Sequence, residues 1–325
     1  MDLKEELEDR LKVFNAELTS FLEGGEPEEL YDAIRHLPLA GGKRLRPILS
    51  MLSCEAVSGS VEDVLPYAIA LELIHNFTLI HDDIMDNSHL RRNIPTVHVK
   101  YGESTAILAG DLLFAKAYEA LNNLNSRIIG RLSSVLTEAI IEVCEGQKLD
   151  MDFEKRSIVS EEEYLTMIKK KTSALFRAAA EGGAIAGGGG EQEVESLRVY
   201  GENLGLAFQI RDDYLDMSSS METLGKDIGN DIRNGKKTLI AVYALTHAEG
   251  EEKKQLDRLF GKRDASDEEV RVVYQIFRDT GSLEYAENVA KRYMEKAVES
   301  ISILEEKPVK QVLKELARFA VEREK

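Results

Sequence analysis

The chain has 325 residues, of which 43% are hydrophobic and 31% are charged, and its formal net charge is −17. This length allows a large hydrophobic core, and the acidic balance argues against duplex nucleic acid or an anionic membrane surface as the main partner, since both favour a basic face. The start of the chain lacks the apolar stretch of a signal peptide and no run of about 18 apolar residues follows, so we expect a cytoplasmic protein without an integral membrane segment.

Helical spacing of apolar residues dominates the interval between Pro95 and Pro308, which contains no proline, the residue that interrupts helix interiors. The spacing predicts helices over residues 107–121, 128–143, 161–180 and 194–215. Capping boxes are predicted at two helix starts, Ser160 with Glu163 and Ser266 with Glu269. Glycines predict breaks at residues 182–183 and 187–190 and within residues 217–237. We therefore predict an all-α fold, a single domain over residues 1–325 whose helices surround a central cavity.

The two cysteines, Cys54 and Cys144, lie in helical and mostly apolar sequence. Free cysteine in such surroundings usually behaves as a small buried hydrophobic residue. We expect two buried, reduced thiols and no disulfide, as is usual for a cytoplasmic protein.

The first cluster of basic residues is Gly41-Gly42-Lys43-Arg44-Leu45-Arg46-Pro47. Arg offers forked donors and Lys a point charge, both suited to phosphate oxygens, and glycine permits close backbone approach. Because the cluster forms no regular amphipathic stripe, it indicates an anion site rather than a solvated helix face.

Two motifs of the form D-D-x-x-D come next, the first aspartate motif at residues 82–86 and the second aspartate motif at residues 212–216. From the 19 Asp in the chain, chance predicts this pattern about 0.06 times. In each motif the first and last Asp lie one helical turn apart on the same face, where like charges repel unless a cation neutralises them. Each motif follows a long apolar helical stretch, so we expect the two motifs to face each other across the bundle.

The first aspartate motif has basic neighbours. Arg91 and Arg92 follow it by a few residues and belong to no amphipathic stripe. His75 lies two turns before Asp82 on the same stripe, where it is either a structural or a functional histidine.

The second aspartate motif also has polar and basic neighbours. Lys169-Lys170-Lys171-Thr172 precedes it, with Lys169 and Lys170 more typical of a solvated helix face. Gln209 stands three residues before the motif, and Lys226 and Lys236 follow it. Carboxylates with nearby cations indicate a Mg²⁺-diphosphate site, because Mg²⁺ is bound by one or two carboxylates, waters and the phosphates of the substrate.

These signatures resemble those of the trans-isoprenyl diphosphate synthases of the short-chain farnesyl and geranylgeranyl type. The matching segments, in the family order, are residues 41–47, Glu72-Leu73-Ile74-His75, residues 82–86 with Arg91-Arg92, Gly146-Gln147 with Asp150, Lys171-Thr172, and residues 209–216 with Lys226 and Lys236. One position departs from the pattern, Asn93, where the family usually has Gly. Asn tolerates left-handed backbone, so we expect the turn to be kept. The resemblance implies an all-helical homodimer with one active cavity in each subunit.

The resemblance also implies roles for individual residues. Three Mg²⁺ ions, with Mn²⁺ as an alternative metal, would be held by Asp82, Asp83, Asp86, Asp212 and Asp216. The allylic diphosphate would be bound by Arg91, Lys171, Thr172, Gln209, Lys226 and Lys236. Isopentenyl diphosphate would be bound by Lys43, Arg46, His75 and Arg92. The catalytic set would be Asp82, Asp86, Asp212, Lys171, Thr172 and Gln209.

The implied reaction joins isopentenyl diphosphate to an allylic diphosphate, which is dimethylallyl, geranyl or farnesyl diphosphate. Metal ions and cationic side chains would stabilise the charge on the departing diphosphate, and the double bond of isopentenyl diphosphate would attack the allylic cation. Apolar walls would exclude water that quenches the cation.

Product length is predicted from the helix before Asp82. Phe77 lies five residues earlier, about 7.5 Å deeper along the helix, and Ile74 and Thr78 share the face of Asp82. Phe77 is either a floor for the growing chain or an ordinary core residue. By the resemblance, one aromatic residue beside a small neighbour such as Thr78 implies geranylgeranyl diphosphate as the product, with farnesyl or a longer polyprenyl diphosphate as the alternative.

Three other protein classes share parts of this pattern. A di-iron carboxylate bundle needs paired Glu-x-x-His motifs, and the sequence has only the one from Glu72 to His75. A terpene cyclase would mix Asn, Ser and Glu in its second metal motif, where this chain has Asp. A non-catalytic regulatory subunit of a heteromeric prenyl synthase would keep the fold, but the intact aspartates and cations argue against it.

Overall fold

The computed structural model describes residues 3–223 and 228–323 and is helical almost throughout them, which confirms the predicted all-α fold. The helices are α1 (Leu3–Phe21), α2 (Glu28–His36), α3 (Leu45–Ala56), α4 (Val61–Met85), α5 (Val97–Tyr101), α6 (Glu103–Leu121), α7 (Ile129–Glu154), α8 (Glu161–Ile168), α9 (Ala174–Ala186), α10 (Glu191–Thr223), α11 (Ile228–Asn234), α12 (Leu239–His247), α13 (Gly250–Leu259), α14 (Asp267–Asp279), α15 (Ser282–Ser300) and α16 (Pro308–Glu322). Other elements are the 3-10 turns Pro38–Ala40 and Ile301–Ile303, a π-helical turn Lys169–Ser173, and two strands, β1 (Leu90–Arg91) and β2 (Ile94–Pro95).

The chain packs as two compact units. The first contains the described residues of Met1–Ile140, Leu175–Arg198 and Ile301–Leu313, and the second those of Ile141–Ala174, Val199–Ser300 and Lys314–Lys325. The first aspartate motif belongs to the first unit and the second aspartate motif to the second unit. A single domain over residues 1–325 with a central cavity stays a prediction, as does the facing of the two motifs.

Helix α4 forms much of the core of the first unit. A capping box of Ser60 and Asp63 fixes its start, every residue from Tyr67 to Ile74 is buried, and it packs against α3 and α6. Among the described helices, α4 is the one long and apolar enough to cross a membrane, but 61% of its most apolar stretch is buried inside the protein. Such burial is typical of a core helix.

A hairpin of β1 and β2 follows α4 and carries Arg91 and Arg92. Arg91 pairs with Ile94, and the two loop residues Arg92 and Asn93 have φ of 53° and 62°. Two successive left-handed residues form the tight turn that matches strand twist. The prediction that Asn93 keeps the turn is confirmed. The strands were not predicted, because two residues cannot show an alternating pattern.

The core of the second unit is built around apolar faces of α8, α10, α12, α14 and α15, with fully buried side chains such as Tyr164, Ile210, Ile240, Phe277 and Val289. Both predicted capping boxes are confirmed. The backbone N–H of Glu163 donates to Ser160 Oγ and that of Glu269 to Ser266 Oγ, each at 3.2 Å.

The glycine pair at residues 182–183 does not break a helix, and the sequence prediction is wrong there. Both glycines lie inside α9. A Cβ on Gly182 would lie 2.1 Å from the Tyr67 ring, and one on Gly183 would lie 2.2 Å from the carbonyl oxygen of Ser50. These glycines therefore serve close packing. The predicted break at residues 187–190 is confirmed, with Gly188 at φ 77°.

Two other boundaries differ from the prediction. Helix α10 runs on to Thr223 and α11 begins at Ile228, so much of the predicted break within residues 217–237 is helical. The predicted helix over residues 161–180 is divided into α8 and α9 by the π-helical turn Lys169–Ser173. Apolar spacing does not show such a turn, which inserts one extra residue into a continuous helix and is frequent at functional sites.

Both cysteines are free thiols, as predicted, but only Cys54 is buried. Burial, with smaller contributions from Asp63 and Glu55, raises the pKa of the Cys54 thiol to about 12. The prediction that Cys144 is buried is wrong. Helix α7 turns Val143 and Gln147 inward, which places Cys144 on the exposed face.

Candidate active site

The first aspartate motif occupies the last turn of α4. Asp86 is the residue that caps this helix, and its backbone N–H donates to the carbonyl oxygen of Asp82 at 2.8 Å. Asp82 is half-buried and Asp86 is exposed, while Asp83 between them is only 1% exposed. The helical period thus directs the first and last carboxylates to the accessible face and the second one inward.

Asp83 makes an ion pair with the hairpin. The Nε of Arg91 donates to Asp83 Oδ1 at 2.7 Å, whereas Oδ2 is buried with no hydrogen-bond partner among the described residues. Burial raises the pKa of Asp83, and the charge of Arg91 opposes that rise. The pairing therefore joins the end of α4 to the strand that carries Arg91.

Arg92 packs against the backbone of the basic cluster. Its guanidinium donates to the carbonyl oxygens of Leu37, at 3.1 Å, and Gly41. Gly42 has φ of 139°, and a Cβ there would come within 3.0 Å of the Arg92 guanidinium carbon. Gly42 thus allows the close approach of Arg92, whereas a Cβ on Gly41 would contact nothing within 4 Å.

Arg44, between the glycines and Arg46, is a structural residue. It is 5% exposed, and its Nη1 lies 2.5 Å from Glu72 Oε1. Glu72 also accepts from the Asn76 side chain at 2.9 Å. A buried charge pair with further hydrogen bonds satisfies both partners, and it holds the loop against α4.

Arg46, His75 and Arg92 form a basic corner beside this loop. Arg46 Nη1 lies 3.3 Å from His75 Nε2, and the Arg46 guanidinium stacks at 4.6 Å over the Phe176 ring. Burial, then the charges of Arg46 and Arg92, hold the pKa of His75 well below its usual range. His75 is therefore neutral and accepts from Arg46, while exposed Lys43 adds a further cation. Such a corner suits an anion.

The second aspartate motif lies on α10, and its middle residue Asp213 is again turned inward, 3% exposed. Asp213 accepts from Tyr164 Oη at 2.7 Å and from Gln209 Nε2 at 3.0 Å. Lys236 Nζ lies 4.0 Å from Asp213 and 3.7 Å from Asp231. Burial lowers the pKa of Lys236, but Asp213 and Asp231 outweigh it and raise the pKa, so Lys236 is charged.

The π-helical turn presents Lys171 and Thr172 to a small pocket that Asp213 and Lys236 also line. Thr172 Oγ1 donates to Gln209 Oε1 at 2.7 Å, and Lys171 Nζ donates to Asp150 at 2.6 Å. A Cβ on Gly146 would lie 2.3 Å from the backbone nitrogen of Lys171. The Gly146-Gln147 and Asp150 signature thus lets α7 approach this turn closely and pair with its lysine.

Asp212 has a partner that the sequence analysis missed. Arg323 follows α16, its side chain is 2% exposed, and it donates to Asp212 Oδ1. Its guanidinium also stacks at 3.9 Å over the Phe208 ring. No motif marks Arg323, which lies in an ordinary charged segment.

Asp216 completes the second motif. Desolvation by the surrounding protein raises the pKa of Asp216 to about 6, and Asp212 adds to the rise against the pull of Lys236. A carboxylate destabilised in this way gains from a bound cation. Lys226, the other predicted cation here, lies outside the described residues.

The donor set fits a hard divalent cation that keeps part of its own ligand shell. No group of three or more His, Cys, Asp or Glu side chains is clustered as a closed metal site in the described part of the chain. Each motif instead offers two carboxylates one turn apart. Mg²⁺ is typically bound by one or two carboxylates, with waters and substrate phosphates as the other ligands.

The predicted chain-length residues lie one to two turns before Asp82. Ile74 is fully buried, and the Thr78 hydroxyl donates to the carbonyl oxygen of His75 at 2.8 Å. Phe77 is half-buried and packs edge-to-face against Phe114 of α6, with ring centroids 5.5 Å apart. Phe77 and Phe114 thus form an aromatic wall.

Comparison with known proteins gives consistent matches over the whole chain. A family described as polyprenyl synthetase matches residues 27–277. The sequence is 45% identical to the geranylgeranyl diphosphate synthase of Methanosarcina mazei, across 100% of this chain and 99% of that protein. The geranylgeranyl pyrophosphate synthetase crystal structure from Pyrococcus horikoshii is similar with a TM-score of 0.93 and 42% identity, covering 99% and 98% of the two chains. A polyprenyl synthase from Caulobacter crescentus, crystallised with calcium and isoprenyl diphosphate, has a TM-score of 0.89 and 33% identity, covering 99% and 97%.

Proposed function

Since the chain belongs to the polyprenyl synthetase family, we propose that it condenses isopentenyl diphosphate with an allylic diphosphate and that its product is geranylgeranyl diphosphate. It is a short-chain trans-prenyltransferase. The observation that carries the proposal is the repeated arrangement of the aspartate motifs: two accessible carboxylates one turn apart, and a buried third one beside a cation.

The outer aspartates of each motif are the proposed metal ligands, Asp82 and Asp86 in the first and Asp212 and Asp216 in the second. Three Mg²⁺ ions are proposed, with Mn²⁺ as a substitute. When bound, they would stabilise negative charge on the departing diphosphate more than on the intact substrate. The raised pKa of Asp216 supports this assignment, because a divalent cation would stabilise the charged form of a carboxylate that is desolvated and lies near Asp212.

The allylic diphosphate is proposed to be bound by the side chains of Arg91, Lys171, Thr172, Gln209, Lys226 and Lys236. Thr172 and Gln209 are already joined by a hydrogen bond of 2.7 Å. Their oxygen dipoles would stabilise the allylic cation that forms when the diphosphate leaves. The double bond of isopentenyl diphosphate then attacks this cation, and the departing diphosphate is proposed to take the proton.

Isopentenyl diphosphate is proposed to bind at the basic corner with Lys43, Arg46, His75 and Arg92. Neutral His75 accepts a hydrogen bond from Arg46 and so orients it without adding a second charge. Forked guanidinium groups suit the oxygens of a diphosphate.

The chain is also proposed to act as a cytoplasmic homodimer. Helix α6 exposes Ile107 and Leu108, which are 42% and 56% accessible, one to two turns before half-buried Phe114. Exposed large apolar side chains of this kind are frequent at interfaces. Sedimentation velocity checks this: Leu108→Glu is expected to give monomer, and a monomeric native protein would contradict the proposal.

The purified chain, incubated with Mg²⁺, isopentenyl diphosphate and each allylic diphosphate in turn, tests the reaction. Geranylgeranyl diphosphate is the expected product by chromatography. Turnover without isopentenyl diphosphate would instead indicate a terpene cyclase, and the absence of turnover by the chain alone would indicate a regulatory subunit. Asp82→Ala is expected to abolish condensation while circular dichroism stays unchanged; near-normal rates would contradict the metal assignment.

A further inference from the structure

The middle aspartates of the two motifs share an arrangement that metal binding does not explain. Asp83 is 1% and Asp213 is 3% exposed, and both lie about 100° around the helix from the first Asp of their motif. Each is next to a cation that lies further along the chain, Arg91 or Lys236. Both cations are among the proposed ligands of the allylic diphosphate.

In the ion pair between Asp83 and Arg91, half of the Arg91 guanidinium group remains available. Only the Nε of Arg91 donates to Asp83, at 2.7 Å, and the Arg91 side chain is 32% exposed. The two terminal nitrogens donate to no other side chain or carbonyl in the part of the chain that the structure describes. A guanidinium can bind one oxygen group through its Nε side and a second through its two terminal nitrogens. Asp83 therefore fixes Arg91 while leaving its terminal nitrogens open to phosphate oxygens.

In the ion pair between Asp213 and Lys236, the Lys236 ammonium group remains available in a different way. Lys236 lies 4.0 Å from Asp213 and 3.7 Å from Asp231, so it is held by charge at distances too long for a hydrogen bond. Its three N–H donors make no hydrogen bond within residues 3–223 and 228–323, so they are open to a phosphate. Asp213 also accepts hydrogen bonds from Gln209 and from Tyr164. This buried carboxylate therefore orients two proposed ligands of the allylic diphosphate, Gln209 and Lys236.

We propose that Asp83 and Asp213 are positioning residues that hold Arg91, Lys236 and Gln209 ready for the allylic diphosphate, and that neither binds metal directly. The proposal rests on the proposed function, in which the outer aspartates bind the metal. Preorganisation of this kind moves the ordering cost of long side chains from substrate binding to folding. It also gives a physical reason why the motifs carry two adjacent aspartates, one facing each way.

The experiment compares metal and diphosphate affinity separately. Binding of Mn²⁺ to substrate-free protein is measured by electron paramagnetic resonance, and the KM of the allylic diphosphate is measured at saturating Mg²⁺. Asp83→Asn is expected to raise that KM about tenfold or more, since a displaced ligand loses its alignment. The affinity for Mn²⁺ is expected to stay unchanged, whereas Asp82→Asn is expected to weaken it about tenfold or more.

A double-mutant cycle shows whether Asp83 acts through Arg91. If it does, Asp83→Asn adds nothing to the KM of Arg91→Gln, because the residue it positions is already absent. The proposal would be overturned if the KM increases of the two single variants multiplied in the double variant. It would also be overturned if Asp83→Asn lost as much Mn²⁺ affinity as Asp82→Asn. Unchanged Mn²⁺ binding in Asp82→Asn would instead contradict the proposed function.

Tyr164→Phe tests the second motif without removing a charge and keeps the proposal testable if Asp83→Asn does not fold. It deletes only the hydroxyl that donates to Asp213 at 2.7 Å. The KM of the allylic diphosphate is expected to rise severalfold with Mn²⁺ affinity unchanged. Tyr243→Phe is the matched control, because Tyr243 stacks on Tyr285 and is not part of this network; equal effects of the two variants would refute the role of Asp213.

Discussion

Replacement of Arg323 by Met tests whether this residue competes with metal for Asp212. Arg323 donates to Asp212 Oδ1 and stacks over Phe208. Because a cation bound by Asp212 has to displace Arg323 or share the carboxylate with it, Arg323→Met is expected to strengthen metal binding. Methionine is chosen because its thioether keeps a favourable contact with the Phe208 ring.

The size of the effect follows from the exposure of the pair. A hydrogen bond to a charged group contributes about 1.5–3 kcal/mol when fully desolvated. The Asp212 side chain is 40% exposed, so solvent screening reduces the competing interaction to roughly 1 kcal/mol. That free energy corresponds to about a fivefold lower dissociation constant for the metal.

Titration of substrate-free protein with Mn²⁺, followed by electron paramagnetic resonance, measures this change without turnover. Arg318→Met is the control, because it removes the same charge from α16 but breaks only an exposed pair with Glu315. Unchanged or weaker Mn²⁺ binding in Arg323→Met would refute competition at Asp212.

Three further predictions concern the product, the packing and the pH response. Phe77→Ala is expected to lengthen the product beyond geranylgeranyl diphosphate, because it opens the aromatic wall with Phe114; an unchanged product distribution by chromatography would count against this role. Gly146→Ala places a Cβ 2.3 Å from the backbone of Lys171, so thermal unfolding is expected to show a loss of about 1–3 kcal/mol, and a native melting temperature would contradict the close approach. The lowered pKa of His75 means that the unfolded chain binds its proton first on acidification, so His75 contributes stability above its ordinary pKa that is lost as the pH falls below it. Between about pH 6.5 and 5 the free energy of unfolding, measured with urea, is expected to fall less in His75→Gln than in the native protein. An equal fall in the variant and the native protein would show that His75 is not the responsible group.

The fold class and several helix starts could be predicted from sequence because their causes are local. Apolar residues at helical spacing and the absence of proline between Pro95 and Pro308 predict helices without reference to distant parts of the chain. The capping boxes beginning at Ser160 and Ser266 are likewise contained within four residues.

Features that depend on packing between distant segments were missed or misread. Gly182 predicts a helix break from sequence, but it lies inside α9, where the absence of a side chain leaves room for the ring of Tyr67, a residue far away in the sequence. The exposure of Cys144 depends on which face of α7 meets its neighbours, which the apolar content of the segment does not specify. The partner of Asp212, Arg323, is 111 residues away and belongs to no motif.

The chemistry of this protein follows from its residues and their order: repeated aspartates at helical spacing, with glycines, arginines and lysines in a recognisable arrangement. Residue type and the helical period suffice for that, since they decide which groups carry charge and which share a helix face. How each charged side chain is used depends on the packing of the helices. Asp83 and Asp213 are aspartates like their neighbours in the motifs, yet they are buried beside Arg91 and Lys236, because the hairpin after α4 and the segment after α11 fold back and bring those cations to the inner faces of α4 and α10.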